Sequence, residues 1–349
     1  MADFAVNHRA GQRLAAGETL YQPADGHYMF KYLPASALLY LPLSSLPLEA
    51  AKPVWFAISI AAMFWLFWLA RQITPGRDML WVSILPPLIL AKYFLHELRL
   101  GQINILVTVV LMLALRALQQ VPDTRQEIAA GALVGLATAL KPYAALFFPY
   151  LLLKRSWTSV VAGLGVLFAA LAVPALFYGV ERNVWVLGEW ARTLSQSTPD
   201  LLANNDNVSV IAFFTKWTGD AATALRWTGI VLASFAVLMV AIVAKGAGRG
   251  ATVLEWAMVL CLIPLVSPLG WDYTFLAALP AITLLVRYFG SFPAPARIAL
   301  AVNLLVVALA LYDVMGREAY RTFMQWSVTT VNFIVIVGAL AFLRFRGQC

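Results

Sequence analysis

Residues 128–151 read IAAGALVGLATALKPYAALFFPYL. A spanning helix needs about 20 apolar residues, so the stretch is long enough to cross a bilayer once. Lys141-Pro142 interrupts it. A proline inside a helix removes a backbone hydrogen bond and clashes with the preceding turn. The sequence therefore predicts two short helices, 128–140 and 142–151, that meet at Lys141. Neither spans alone, which leaves Lys141 part-way into the membrane and open to the outer side.

The rest of the chain repeats the apolar pattern. Of 349 residues, 62% are hydrophobic and 12% charged, and the mean hydropathy is +0.79. A soluble domain averages roughly 45–50% apolar and about 25% charged. The composition excludes a soluble enzyme, a disordered chain and a disulfide scaffold. Cys261 and Cys349 fit neither a disulfide nor a metal cluster. Apolar runs lie at about 53–70, 79–95, 102–118, 128–151, 157–178, 226–244, 252–268, 271–286, 297–312 and 326–343. None alternates as a barrel strand does, and lipid leaves helices as the other way to satisfy the backbone. The fold class is all-α, a polytopic transmembrane bundle of about eleven passes. Residues 1–349 are read as a single membrane domain.

Basic residues set the orientation. The short loops at 71–78, 116–127, 152–156, 245–251 and 287–296, with the tail 344–349, carry or border twelve Lys and Arg and few acids. They belong in the cytoplasm, as does the C-terminus. The net charge of +8 is a matter of topology and not of nucleic acid. Loops 116–127 and 152–156 are both basic with one run between them, and the break at Lys141 resolves that conflict. The outer face then holds residues 1–52 as a first loop, the turn 96–101, the tip at 141, the loop 179–225, the turn 268–273 and the loop 312–325.

Five polar constellations fall on that face. Asp3 can act as a general base on a hydroxyl, or be a solvated N-terminal acid. His96 and Arg99 can hold a phosphate, with Gln102 and Asn104 bonding sugar hydroxyls; the plainer reading is a capped interfacial turn. Lys141 suits a phosphate leaving group, against a lysine that snorkels to water. Asn207 and Ser209 read first as turn and helix-cap residues. They also fit a sugar contact or a glycosylation acceptor. Trp271 and Tyr273, in Ser267-Pro268-Leu269-Gly270-Trp271-Asp272-Tyr273, offer a stacking face and a polar rim, or form an aromatic belt. Phosphate-binding loops, dinucleotide fingerprints, zinc-protease motifs and nucleophile elbows are missing from the sequence.

Taken in order, these blocks resemble glycosyltransferase family 87, of the GT-C class. The series is Asp3-Phe4, Ala10-Gly11, Gly17, Leu20-Tyr21, Tyr32-Leu33-Pro34, Leu41-Pro42 and Leu46-Pro47. Gly101-Gln102-Ile103-Asn104, Gly131, Gly135-Leu136-Ala137 and Lys141-Pro142 follow, then Asn207-Val208-Ser209 and the 267–273 block. The resemblance implies an inverting hexosyltransferase of the cytoplasmic membrane. It would move a hexose, commonly mannose in the family, from a polyprenyl-phosphate donor to a lipid or glycan acceptor outside. No cofactor or metal is expected, since the lipid-phosphate sugar is a substrate. Asp3 takes the role of base, with Lys141, His96 and Arg99 on the departing phosphate. Family members carry a spanning helix before the Asp-Phe loop, so the resemblance also implies a start placed late or a truncated chain. A lipid-linked sugar transporter and a silent membrane assembly protein remain the alternatives.

Overall fold

The helix Thr124–Leu140 ends where the proline demands it. Lys141 is extended (φ −141°, ψ 107°), the backbone that a residue before proline favours. A 3-10 turn, Pro142–Leu146, and a short helix, Phe147–Leu153, follow. The N-terminus of Thr124–Leu140 is capped by Asp123, whose side chain accepts from the Arg125 N–H. The computed structural model describes residues 1–74, 80–119, 123–246 and 252–347. Arg77, Arg249 and Cys349 lie outside them.

Among the described residues the regular structure is helical, with a lone bridge between Asn207 and Trp271. Leu48–Ile73, Trp157–Tyr178, Ala221–Lys245 and Val328–Phe345 are long and apolar enough to cross a membrane. Shorter apolar helices are Leu80–Ile89, Asn104–Gln119, Pro142–Leu153, Val253–Val266 and Ala294–Leu309. Val161, Phe168 and Leu176 of Trp157–Tyr178 are exposed, as side chains that meet lipid should be. The chain is a multi-pass helical membrane protein.

Two compact units make up the chain, Met1–Leu66 with His96–Pro199, and Phe67–Leu95 with Asp200–Cys349. In the first, Thr124–Leu140 crosses Trp157–Ala172 at close range. A Cβ on Gly131 would stand 2.0 Å from the Ser159 carbonyl oxygen, and one on Gly135 would stand 2.3 Å from that of Gly163. Small residues at four-residue spacing on both helices allow this approach. The same unit holds the N-terminal segment, expected as a loop over 1–52. It instead begins with a helix, Ala2–Ala15, that buries Phe4, Asn7, His8, Gly11 and Leu14 on one face. His8 Nε2 lies 3.1 and 3.0 Å from the carbonyls of Leu43 and Leu46, and Arg9 and Arg13 both pair with Asp25. The segment 179–225, also expected as a loop, carries the helices Val180–Ser197 and Val210–Thr218.

In the second unit, Val253–Val266 is buried along almost its whole length, and Phe275 stacks on Phe333. Glu255 of that helix pairs with Arg344 at 2.6 Å, with the carboxylate fully buried. Lys216 donates to the carbonyls of Asn205, Asn207 and Met324.

Candidate active site

Gly101 ends the helix Ala91–Leu100 with φ +72°, a left-handed conformation that glycine adopts without strain. A Cβ there would also lie 2.7 Å from Phe4 Cβ. Trp55 Nε1 donates to the Gly101 carbonyl at 2.9 Å, and the Trp55 ring stacks on Phe4. The turn thus locks the next residue, Gln102, against the helix that carries Asp3.

Gln102 is the hub. Its Nε2 donates to Asp3 Oδ2 at 2.6 Å. Its Oε1 accepts from Lys141 Nζ at 3.0 Å and from the Tyr32 hydroxyl at 3.3 Å. Lys141 Nζ also donates to the Tyr32 hydroxyl at 2.8 Å and lies 4.3 Å from that ring's centre. Lys141 is only 6% exposed, so it does not snorkel. Asp3 is half-buried and sits in the first turn of its helix. A carboxylate and an ammonium are therefore held at opposite ends of one neutral amide.

Behind this hub lies a second layer. Asn104 is fully buried, with Nδ2 donating to Glu97 Oε2 at 2.7 Å and Oδ1 accepting from the Tyr143 hydroxyl at 2.7 Å. Both ends of its amide are engaged by protein. Glu97, absent from the residues picked out of the sequence, is fully buried. It stands beyond the apolar run 79–95, and burial pushes its carboxyl up to about 7, against the lowering effects of the Asn104 bond and of Lys141. Tyr40, whose hydroxyl is buried without a protein partner, is pushed well above the usual tyrosine range by the same cause.

The remaining candidates fall elsewhere. Residues 96–100 are not a turn but the end of the helix Ala91–Leu100. At 100° per residue, Glu97 takes the inward face while Arg99, two residues on, points away and is exposed. His96 is half-buried. In the second unit Asn207 is fully buried. Its Nδ2 donates to Pro268 O at 3.0 Å, and its Oδ1 accepts from the N–H groups of Ser209 and Gly270, both at 3.1 Å. Ser209 caps Val210–Thr218 by accepting from Ala212 N. The Ser209 cap and the Asn207–Ser209 turn are the local contacts the sequence suggested first, while the bonds to Pro268 and Gly270 tie Asn207 to the 267–273 block. Trp271 is half-buried and Tyr273 buried. Among the described residues, no three His, Cys, Asp or Glu side chains come together to hold a metal.

The sequence model of glycosyltransferase family 87 matches residues 30–268. The match takes in Tyr32, Gln102, Asn104 and Lys141 and begins after Asp3. An alpha-(1->3)-arabinofuranosyltransferase of Corynebacterium glutamicum is 27% identical over 57% of this chain and 49% of its own length. A polyprenol-phosphate-mannose-dependent alpha-(1-2)-phosphatidylinositol pentamannoside mannosyltransferase of Mycolicibacterium smegmatis is 25% identical over 74% of this chain and 61% of its own. The chain thus spans about half to three-fifths of the length of these curated relatives. The crystal structure of ArnT from Cupriavidus metallidurans, bound to undecaprenyl phosphate, aligns with 98% of this chain and 72% of that one. The TM-score is 0.37 and the identity 13%.

Proposed function

The chain belongs to glycosyltransferase family 87, and on that premise we propose that it transfers a hexose from a polyprenyl-phosphate carrier to a hydroxyl of a lipid or glycan acceptor. The reaction takes place on the outer side of the cytoplasmic membrane, with the C-terminus inside. The sugar we assign is mannose, because the mannosyltransferase relative is matched over the larger share of this chain.

The observation that carries the reading is the Asp3–Gln102–Lys141 chain, with Tyr32 at its cationic end. Asp3 takes the proton of the acceptor hydroxyl. The oxygen attacks the anomeric carbon, and the bond from that carbon to the phosphate oxygen breaks. The electron pair leaves with the polyprenyl phosphate, whose charge meets Lys141 and the Tyr32 hydroxyl. One displacement inverts the anomeric centre. Lys141 offers a positive charge at the phosphate, so the scheme routes no step through a metal. The scheme assigns no step to His96, Arg99, Asn207, Ser209, Trp271 or Tyr273.

The test is transfer of radiolabel from polyprenyl-phosphate-mannose, and from the arabinofuranose donor, to membrane lipids. Asp3→Asn at matched expression should lose roughly 100- to 10,000-fold in rate, the range for a positioned general base. Retained turnover removes Asp3 from the role. Donor that crosses vesicles with no glycosidic bond made shifts the reading to a transporter.

A further inference from the structure

Glu97 has no task in the transfer scheme, yet it is a fully buried carboxyl on which the lysine that meets the phosphate acts electrostatically. Burying a carboxyl is costly unless it is paired or hydrogen-bonded. A leucine would fill comparable space without that cost. Glu97 accepts from Asn104 Nδ2 at 2.7 Å and from the backbone N–H of Ile105 at 3.2 Å. Asn104 accepts from the Tyr143 hydroxyl at 2.7 Å, and the Tyr143 ring centre lies 6.0 Å from Lys141 Nζ. Two hydrogen bonds, Glu97 to Asn104 and Asn104 to Tyr143, and then the face of the Tyr143 ring lead from Glu97 to Lys141.

We propose that Glu97 is a positioning residue that fixes Lys141 through Asn104 and Tyr143 and sets how much of the lysine's charge the donor phosphate meets. The inference rests on the assignment of Lys141 to the donor phosphate. Lys141 and Tyr143 from the 141–143 bend and Tyr40 from the segment Pro34–Tyr40 act electrostatically on Glu97. Its neighbour His96 stands on its own helix. Lys141 is the cation of this group, and a tyrosine ordinarily ionises only near about 10. The carboxyl, pushed up to about 7, therefore changes charge in the physiological range. Above that value the carboxylate offsets Lys141, and an anionic donor binds less tightly. Below it Glu97 is neutral and Lys141 acts alone. A sugar phosphodiester keeps its charge throughout, so the donor does not itself titrate here.

Two measurements test the proposal. The first is the KM for polyprenyl-phosphate-mannose between about pH 6 and about pH 8, with kcat read alongside. In the wild type KM should rise roughly tenfold, the size expected for one charge about 10 Å away at an effective dielectric near 20. Glu97→Gln keeps the shape and should flatten that rise, with kcat altered less than KM. The same rise in Glu97→Gln as in the wild type overturns the proposal. The second needs no turnover. The infrared difference between wild type and Glu97→Gln should hold a protonated-carboxyl band that titrates near pH 7. Lys141→Met should move its midpoint upward, because the cation favours the ionised form. An unmoved midpoint overturns the coupling. If no form transfers sugar, the transferase reading falls and the infrared titration still decides the coupling. If Asp3→Asn stops transfer while Glu97→Gln keeps the wild-type KM profile, only the positioning role falls.

Discussion

Gln102→Glu changes one NH2 to an oxygen and little else in shape. The native amide donates to Asp3 Oδ2 at 2.6 Å and accepts from Lys141 at 3.0 Å. In the variant two carboxyl oxygens face each other at the first of those distances. At an effective dielectric near 20, two unit charges so placed repel by about 6 kcal/mol. Asp3 is half-buried, and solvent screening on that side leaves about 3 kcal/mol. Each 1.36 kcal/mol is a factor of about ten, so the pair holds a proton roughly 100-fold more firmly than a lone carboxyl does. The new carboxylate keeps the ammonium, so the proton rests on Asp3. A protonated Asp3 cannot take a proton from the acceptor. The pH–rate profile should therefore move up by about two units, with transfer roughly tenfold below the wild type near pH 5 and level with it above about pH 8. The assay is label transfer from polyprenyl-phosphate-mannose across about pH 5 to about pH 9, at matched expression. A wild-type rate near pH 5 refutes the reasoning. A loss that stays flat with pH refutes the base role of Asp3 and leaves Gln102 as a geometric clamp.

Gly131→Ala puts a methyl 2.0 Å from a backbone oxygen that cannot rotate away, so Thr124–Leu140 and Trp157–Ala172 must part. The cost should be about 1–3 kcal/mol or more, read as a lower melting midpoint in detergent, and an unchanged midpoint contradicts the close crossing. Asn207→Ala strands the N–H groups of Ser209 and Gly270 and should cost about 2–4 kcal/mol of stability. Unchanged melting with a raised acceptor KM would return Asn207 to the sugar site. Arg99→Ala should leave the donor KM within about twofold, as for other exposed side chains outside a network, and a tenfold rise would bring Arg99 to the phosphate. The Glu97 carboxyl sits at about 7 in the fold against an ordinary 4.5, so the fold binds more protons than the unfolded chain between those values. Its contribution is present at low pH and lost as pH rises through about 7. Glu97→Gln should therefore match the wild type near pH 4 and exceed it by roughly 3 kcal/mol near pH 8. Equal denaturation midpoints at both pH values would show that Glu97 is not held protonated.

The break at Lys141 was legible because proline acts locally, on its own turn and the residue before it. The cap at Ser209 was legible for the same reason, since a cap is a contact three residues long, whereas the bonds from Asn207 to Pro268 and Gly270 left no local pattern. The helix Ala2–Ala15 was missed although its buried residues Phe4, Asn7, His8, Ala10, Gly11 and Leu14 recur at helical spacing. Two of the six are polar, so hydropathy alone left the stripe faint. Glu97 gives no signal of its own inside His96-Glu97-Leu98-Arg99, a polar stretch that reads as a capped interfacial turn. Its burial comes from Asn104 and Tyr143, and a partner 46 residues away leaves no local pattern. Gln102 and Lys141 were each picked out alone. Their junction at Tyr32 depends on folding that brings together residues 32, 102 and 141.

The use of an amide at this junction has a chemical reason. Asp3 and Lys141 in direct contact would form an ion pair. Pairing would weaken the carboxylate as a base and leave the ammonium less charge for a phosphate. Gln102 carries no net charge, yet it presents a donor at one end and an acceptor at the other. The donor end meets the carboxylate and the acceptor end meets the ammonium, so both are oriented and neither is cancelled. In-line displacement needs that separation, because the base and the cation act on opposite sides of one anomeric carbon. The left-handed turn at Gly101 completes the argument. Phe4 beneath it admits no Cβ, and Trp55 holds its carbonyl, so the amide that follows is fixed by packing before either charge touches it.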